Sequence, residues 1–261
     1  MISIKRLASA YGNRPALHGV DLEVQPGELV AVLGMNGSGK STLLKCINGL
    51  LRPSSGEVMI NGRPTRQFSR QELAKSIGYL PQHCRPVDCT VFEAVLIGRK
   101  PYLGRLVHDN DLAETARILS LTGLHDYADR STLQLSGGEL QRVAIARTLA
   151  QQPAVLLLDE PVNHLDIRSQ IDIMALIRSL TSQLGIATIA VMHDLNMALR
   201  FSDRFLLMKE GEVLAAGGRE VVTSERIRAA YHLHVVLHEL DGLPLVTPCP
   251  EREPCYPPAA F

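Results

Sequence analysis

The chain has 261 residues, a length that suits one large domain, and its apolar fraction of 46% can supply a substantial core. With 27 basic and 27 acidic residues the formal net charge is zero, which argues against nucleic-acid binding driven by phosphate electrostatics and against attachment to anionic lipid by charge alone. No apolar run approaches the ~20 residues needed to span a bilayer, and Met1-Ile2-Ser3-Ile4-Lys5-Arg6 has no signal-peptide apolar core, so a cytosolic chain is expected, with any membrane location borrowed from a partner.

Strands are predicted near Ile2 to Leu7 and Leu17 to Val24. A Val- and Leu-rich run from Glu28 to Leu33 then suits a strand buried on both faces of a parallel sheet. Gly34-Met35-Asn36-Gly37-Ser38-Gly39-Lys40-Ser41-Thr42 follows at once, and Lys40 to Asn48 reads as a helix with Leu43, Leu44 and Ile47 on its apolar face. Strand, Gly-x-x-x-x-Gly-Lys-Ser and helix form the context of a phosphate-binding P-loop. Glycines let backbone N–H groups turn toward phosphate oxygens, and the helix N-terminus adds partial positive charge. Lys40 is expected to reach the β- and γ-phosphates, and Ser41 to place its hydroxyl on Mg²⁺.

Pro53-Ser54-Ser55-Gly56 and Asn61-Gly62 signal turns around a short strand. A strand from Ile77 to Leu80 ends near Gln82. From Pro86 to about Gln151 the pattern turns helical, with apolar spacing in Val91 to Ile97, Leu112 to Leu121 and Leu140 to Ala150. This stretch reads as an inserted helical subdomain. Near its end stands Leu135-Ser136-Gly137-Gly138-Glu139, where Ser136 and Glu139 have capping-box spacing and the glycines leave N–H groups uncovered for an anion. Val155 to Leu158 is a second buried strand, ending in Asp159-Glu160-Pro161. Asp159 sits where open α/β sheets bind ligands and fits the Mg²⁺ partner of a P-loop. Glu160, one residue on, is placed to orient or deprotonate an attacking water.

A helix is predicted from Ile167 to Leu184, a strand at Ile186 to Met192, and strand patterns at Arg204 to Met208 and Glu212 to Ala215, joined by a turn at Glu210-Gly211. Leu233 to Leu240 reads as a strand with His232 and His234 on one face, solvent-facing rather than metal-binding. The five cysteines are Cys46, Cys84, Cys89, Cys249 and Cys255. An odd number without C-x-x-C favours reduced thiols, although Cys249 and Cys255 flank a Pro-rich stretch and a redox or metal pair there stays open. The expected layout is a core of about 1–85 and 152–241, a helical subdomain of about 86–151 and a C-terminal tail of about 242–261, loose after about Pro248.

Leu135-Ser136-Gly137-Gly138-Glu139, standing about twenty residues before the acidic strand end and downstream of the P-loop, resembles the signature segment of the ATP-binding cassette (ABC) ATPases. The resemblance covers nearly the whole chain. It implies an α/β fold with a P-loop core on a mainly parallel sheet, an N-terminal antiparallel β subdomain and an inserted helical subdomain. It also implies ATP and Mg²⁺ as cofactors, with Ser136, Gly137, Gly138 and Glu139 of one subunit meeting the γ-phosphate held by the P-loop of the other. By the same resemblance Tyr11 stacks on adenine, Gln82 touches Mg²⁺ or water and senses a transmembrane partner, Asp166 in Asn163-His164-Leu165-Asp166 communicates across the dimer, and His193 contacts the γ-phosphate. Glu160, His193 and Gln82 are then the catalytic group, and Ser41, Gln82 and Asp159 the metal group. The family has Ser or Thr after the proline where this chain has Val162, which puts a local hydrogen bond in doubt.

Val91-Phe92-Glu93-Ala94-Val95-Leu96-Ile97-Gly98-Arg99-Lys100-Pro101-Tyr102 and Asn163 to Arg168 look like the branch importing iron–siderophore complexes, haem or cobalamin. Implied partners are a second ATPase subunit, integral-membrane permease subunits at the cytoplasmic face of the inner membrane and, indirectly, an extracytoplasmic substrate-binding protein, with no nucleic acid. Molybdate or tungstate importers share the branch. A soluble ABC ATPase such as an iron–sulfur assembly factor fits the layout too, whereas the coiled coil of repair proteins and the tandem cassettes of ribosome-associated ones are missing.

Overall fold

The computed structural model describes residues 1–249 apart from Asn13, Cys84, Arg105 and Asp241. Strands β1 (Ile2–Tyr11) and β2 (Arg14–Val24) pair as an antiparallel hairpin, longer than the two predicted strands. Register shifts between Ile4 and Ala8 absorb a break in the ladder, so pairing continues to Tyr11 opposite Arg14 although the alternation of apolar residues stops at Leu7. Strand β3 (Leu29–Leu33) leads through the glycine loop into helix α1 (Lys40–Ile47). Strands β4 (Ser55–Ile60) and β5 (Arg63–Pro64) complete an antiparallel sheet ordered β2-β1-β4-β5.

Helix α2 (Arg70–Ser76) has no counterpart among the predicted elements. Its signal stood in Ser69-Arg70-Gln71-Glu72: the Ser69 hydroxyl accepts from the Glu72 N–H while the Glu72 carboxylate accepts from the Ser69 N–H. Strand β6 (Ile77–Leu80) follows, then the helices α3 (Val91–Leu96), α4 (Asp109–Leu121) and α5 (Gly137–Leu149). Strand β7 (Val155–Asp159), helix α6 (Ile167–Leu184), strand β8 (Ala187–Val191), helix α7 (Leu195–Phe201) and strands β9 (Arg204–Lys209) and β10 (Glu212–Gly217) return to the core.

The second sheet is ordered β10-β9-β3-β8-β7-β6, parallel throughout except for β10 on β9. Every residue of β3, β7 and β8 is buried, because the sheet is covered on both faces. Alternate residues of β3 feed two cores. Leu29, Ala31 and Leu33 pack with α5, α6 and the helical segment, while Val30 and Val32 pack with α1 and the antiparallel sheet. The parallel strands end together at the carboxyl edge, where the chain leaves β3, β6, β7 and β8 toward Gly34, Gln82, Glu160 and His193.

The helical segment is tied down by a buried ion pair. Arg99 Nε donates to Asp111 Oδ1 at 3.0 Å with both side chains under one-tenth exposed. Arg99 Nη1 also donates to the Ala150 carbonyl at 2.9 Å, and its guanidinium lies 3.9 Å from the centre of the Tyr102 ring.

The C-terminal part departs from expectation. Helix α8 (Ser224–Tyr231) has no counterpart among the predicted elements, and His232 ends it in the left-handed region with φ 55°. His232 therefore caps a helix and does not share a strand face with His234; strand β11 begins only at Val235 (Val235–Leu240). Residues 243–248, assigned to the C-terminal tail with no element predicted there, form strand β12 (Leu243–Pro248), paired antiparallel with β11 and seated on α7. Val235 and Val246 are buried in the main core, which anchors a sequence otherwise interrupted by Pro244 and Pro248. The rest of the expected tail, with Cys255, lies outside the described residues, as does Cys84. Cys46, Cys89 and Cys249 are free thiols. Among the described residues no group of three or more His, Cys, Asp or Glu side chains is placed to hold a metal ion, and no helix is long and apolar enough to cross a membrane.

Candidate functional site

The loop after β3 is shaped by close backbone packing. Gly34 has φ 149°, and a Cβ there would stand 2.3 Å from the Met208 carbonyl oxygen. Gly39 has φ 100°, and its Cβ would meet the Ala16 carbonyl oxygen at 2.8 Å. Glycine is required at both positions on conformational and steric grounds. Between them Met35, Asn36 and Gly37 form an exposed tip, whereas Ser38 and Lys40 are buried.

Lys40 Nζ donates to the carbonyls of Gly34 at 2.7 Å and Met35 at 2.8 Å, bracing the loop across its own mouth. Two of its three donors are thereby committed and one is left for a phosphate oxygen. Desolvation lowers its pKa, opposed by the nearby charges of Glu160 and Asp159. The Ser38 hydroxyl is buried and makes no hydrogen bond, a polar orphan of the kind a bound group satisfies.

Asp159, the last residue of β7, and Ser41, in the first turn of α1, converge from two elements. Ser41 Oγ donates to Asp159 Oδ1 at 3.5 Å, and Tyr79 of β6 donates its hydroxyl to Asp159 Oδ2 at 3.3 Å. Burial pushes the Asp159 carboxyl up, and the adjacent Glu160 charge pushes it further. Burial, reinforced by Asp159, also raises the Tyr79 phenol, to about 12. Hard oxygen donors crowded at a buried carboxylate suit a divalent cation such as Mg²⁺. Tyr79 is a site residue that sequence reasoning missed; the only hint was its place on the strand beside the one ending in Asp159.

Glu160 is a hub. Its backbone enters the left-handed region at φ 53°, uncommon for a residue with a side chain, and its N–H donates to the Val191 carbonyl at 3.2 Å. Oε2 accepts from Gln82 Nε2 at 2.6 Å and from Asn163 Nδ2 at 2.8 Å, while Oε1 lies 2.5 Å from His193 Nε2. The structure thus joins Gln82, Glu160 and His193 from three strand ends and adds Asn163. In the sequence Asn163 stands only as part of a motif, and its contact could not be read from spacing. Val162, half-buried, packs against the core.

Ser136, Gly137, Gly138 and Glu139 lie apart. Ser136 Oγ and N–H both reach Glu139 Oε2, at 2.7 and 2.8 Å, and the Glu139 N–H donates to Ser136 Oγ at 3.3 Å. The capping box is formed as expected, and these hydrogen bonds from Ser136 hold the Glu139 carboxyl below its usual range. The adjoining cavity, about 430 Å³, is lined by Tyr127, Ser136, Glu139, Arg142, Arg168 and Asp172 among others, and by no residue of the P-loop. Asp166 caps α6, its carboxylate accepting from the Ser169 N–H at 3.0 Å and hydroxyl at 2.7 Å. Tyr11, at the end of β1, is half exposed and presents a ring available for stacking.

The model of the ABC transporter family matches residues 17–163. The uncharacterized ABC transporter ATP-binding protein MJ0089 of Methanocaldococcus jannaschii is 46% identical, over 95% of this chain and 98% of its own. The hemin import ATP-binding protein HmuV of Bradyrhizobium diazoefficiens is 40% identical over 95% and 94%, and the ferric enterobactin transport ATP-binding protein FepC of Escherichia coli K12 is 36% identical over 96% and 94%. Among solved structures, the dimeric bacterial ABC transporter cassette MJ0796 superposes with a TM-score of 0.71 at 34% identity, over 84% of this chain and 98% of that one.

Proposed function

The chain belongs to the ABC transporter family of ATP-binding proteins, and we propose that it is the ATP-hydrolysing subunit of an importer that takes up a metal chelate. The observation that carries the mechanism is the Glu160 hub beside the P-loop. Gln82, Asn163 and His193 orient one carboxylate at the edge where Lys40 and the loop amides receive phosphate. Glu160 is the general base, exchanging one of its present partners for a water aimed at the γ-phosphorus. Lys40 and the N-terminus of α1 hold phosphate charge. Ser41 and Asp159, with Gln82, would hold Mg²⁺, which when bound screens the phosphate oxygens. His193, linked to Glu160 Oε1, reports the γ-phosphate to the base, and Tyr11 stacks on adenine.

The Ser136 loop is capped, has an exposed Gly137 beside a half-buried Gly138, and lines a cavity without P-loop residues. It therefore completes the site from a second copy, in a head-to-tail dimer with two nucleotides. The dimeric form of the related cassette supports this arrangement. ATP closes the pair because it binds the closed state better, and hydrolysis lets it open. Permease subunits receive the motion through the helical segment and Gln82.

The cargo class rests on the Val91–Tyr102 run and on relatives named for hemin and ferric enterobactin. Co-purification of the full chain with an integral-membrane partner, followed by uptake of radiolabelled haem, ferric siderophore and cobalamin, tests it. Uptake of one chelate that stops in Glu160→Gln is the expected result. A soluble partner with no membrane association would sink the transport half of the reading, and uptake of molybdate alone would sink the cargo half.

A further inference from the structure

Helix α8 and strand β12 lie beyond the stretch matched by the family model, which ends at residue 163, and they meet the core at two points, the P-loop and the helix that follows His193. Tyr231, the last residue of α8, accepts a hydrogen bond on its phenolic oxygen from the Gly34 N–H at 2.8 Å. Burial raises that phenol to about 12, so it stays a neutral hydroxyl throughout the working range. On its other side Gly34 is pressed so close to β9 that a Cβ would stand 2.3 Å from the Met208 carbonyl oxygen. The first peptide of the P-loop is therefore wedged between β9 and Tyr231. At the second point Asn196 grips β12: the Val246 N–H donates to Asn196 Oδ1 at 2.7 Å and Asn196 Nδ2 donates to the Val246 carbonyl at 3.2 Å. Asn196 lies in α7, whose N-cap Asp194 follows His193.

We infer that Tyr231 is a positioning residue for nucleotide binding, its hydroxyl fixing the Gly34 peptide so that the P-loop is set for phosphate before the nucleotide arrives. Without the hydroxyl the Gly34 N–H must find another acceptor, and the free loop populates arrangements that do not bind. Apparent affinity then falls by the fraction that remains competent.

This rests on the reading of residues 34–41 as the triphosphate cradle, and the test separates the two. In the full chain, Tyr231→Phe is expected to raise the Kd of Mg·ATP and of ADP about 5- to 10-fold, the effect of one net hydrogen bond, with kcat at saturating ATP within about twofold. The comparison is Tyr102→Phe, which deletes a hydroxyl donated to the Gln151 carbonyl at 2.9 Å in the helical segment. It is expected to lower the melting temperature and leave Kd unchanged. A Tyr231→Phe protein that loses stability but keeps Kd within twofold, or a Tyr102→Phe protein that loses affinity equally, overturns the inference. Lys40→Ala decides the underlying reading: normal ATP binding there defeats the cradle itself. Hydrogen exchange of the Gly34 amide in the nucleotide-free wild type needs no variant, and fast exchange also overturns the brace.

Discussion

Replacing Glu160 by glutamine is the sharpest test of the site, because the structure says what survives. Oε2 accepts two amide N–H groups, from Gln82 and Asn163, so the amide oxygen of the substituted side chain takes that position and keeps both. The new NH₂ then faces His193 Nε2, which a neutral imidazole protonated on Nδ1 can accept. No cavity opens and no buried donor is orphaned, so the folded state should change by less than about 1 kcal/mol. The P-loop contacts of Lys40 with Gly34 and Met35 are untouched, and ATP affinity should stay within a few-fold. What disappears is the carboxylate proposed to take the proton from water. A positioned base is worth about 10²- to 10⁴-fold, or roughly 2.7–5.4 kcal/mol of activation free energy at ~1.36 kcal/mol per decade. Phosphate release measured at saturating Mg·ATP should fall by that factor. Size-exclusion chromatography should show an ATP-dependent dimer that the turning-over wild type does not accumulate. Hydrolysis within about threefold of wild type would refute the assignment of Glu160, whatever the dimer does.

Lys40→Ala removes the brace across the loop and the phosphate donor together, and isothermal titration should show ATP affinity down at least about tenfold. The Asp159 carboxyl is raised by burial and by Glu160, so folding favours its protonated form. That contribution is fully present below the unfolded value of 3.8 and is lost as pH rises through the higher folded one. Asp159→Asn should therefore raise the melting temperature of the nucleotide-free chain at pH 7, with a gain that shrinks toward pH 3.8, while Mg-dependent turnover is lost; a lower melting temperature at pH 7 would contradict this. Asp111→Ala strands the buried Arg99 guanidinium and should cost about 3–5 kcal/mol by denaturant titration. A loss under about 1 kcal/mol would show that the pair is solvated.

The sequence carried the parts of the site that are consecutive. Strand–loop–helix around Gly34 to Ser41, the Ser136–Glu139 capping box and the acidic end of β7 are local, and local chemistry dictates them. Gln82 and His193 were singled out by family resemblance alone, each standing just after an apolar strand. The partners that hold these groups were hidden because they are long-range. Tyr79 is 80 residues from Asp159, and Tyr231 is 197 from Gly34. The C-terminal hairpin was hidden for a different reason. Pro244 and Pro248 lower the strand propensity of residues 243–248, yet both lie on a strand with a single neighbour, where a missing N–H can be tolerated. His232 escapes a strand reading because one αL residue turns the chain out of a helix, and nothing in its neighbours' periodicity announces that.

The hub at Glu160 gives the proposed coupling a physical form. Its oxygens are held by residues from three loops: Gln82 just before the helical segment, Asn163 before α6, and His193 before α7. The helical segment bears on the core through α5 against α6 and carries the Ser136 loop at the start of α5. The helical segment and the Gln82 loop both belong to the stretch between β6 and β7, so on the proposed reading a shift of the segment toward a second copy is passed to that loop. On that reading Glu160 orients water only when the segment stands where the nucleotide of a second copy draws it. By the same reading hydrolysis in an isolated chain is slow because the Ser136 loop of a second copy is absent and the Gln82 loop is not set by it. The same hydrogen bond makes the reverse path available: a partner that displaces the Gln82 loop, as the proposed permease would, alters the surroundings of Glu160 directly, without touching the P-loop.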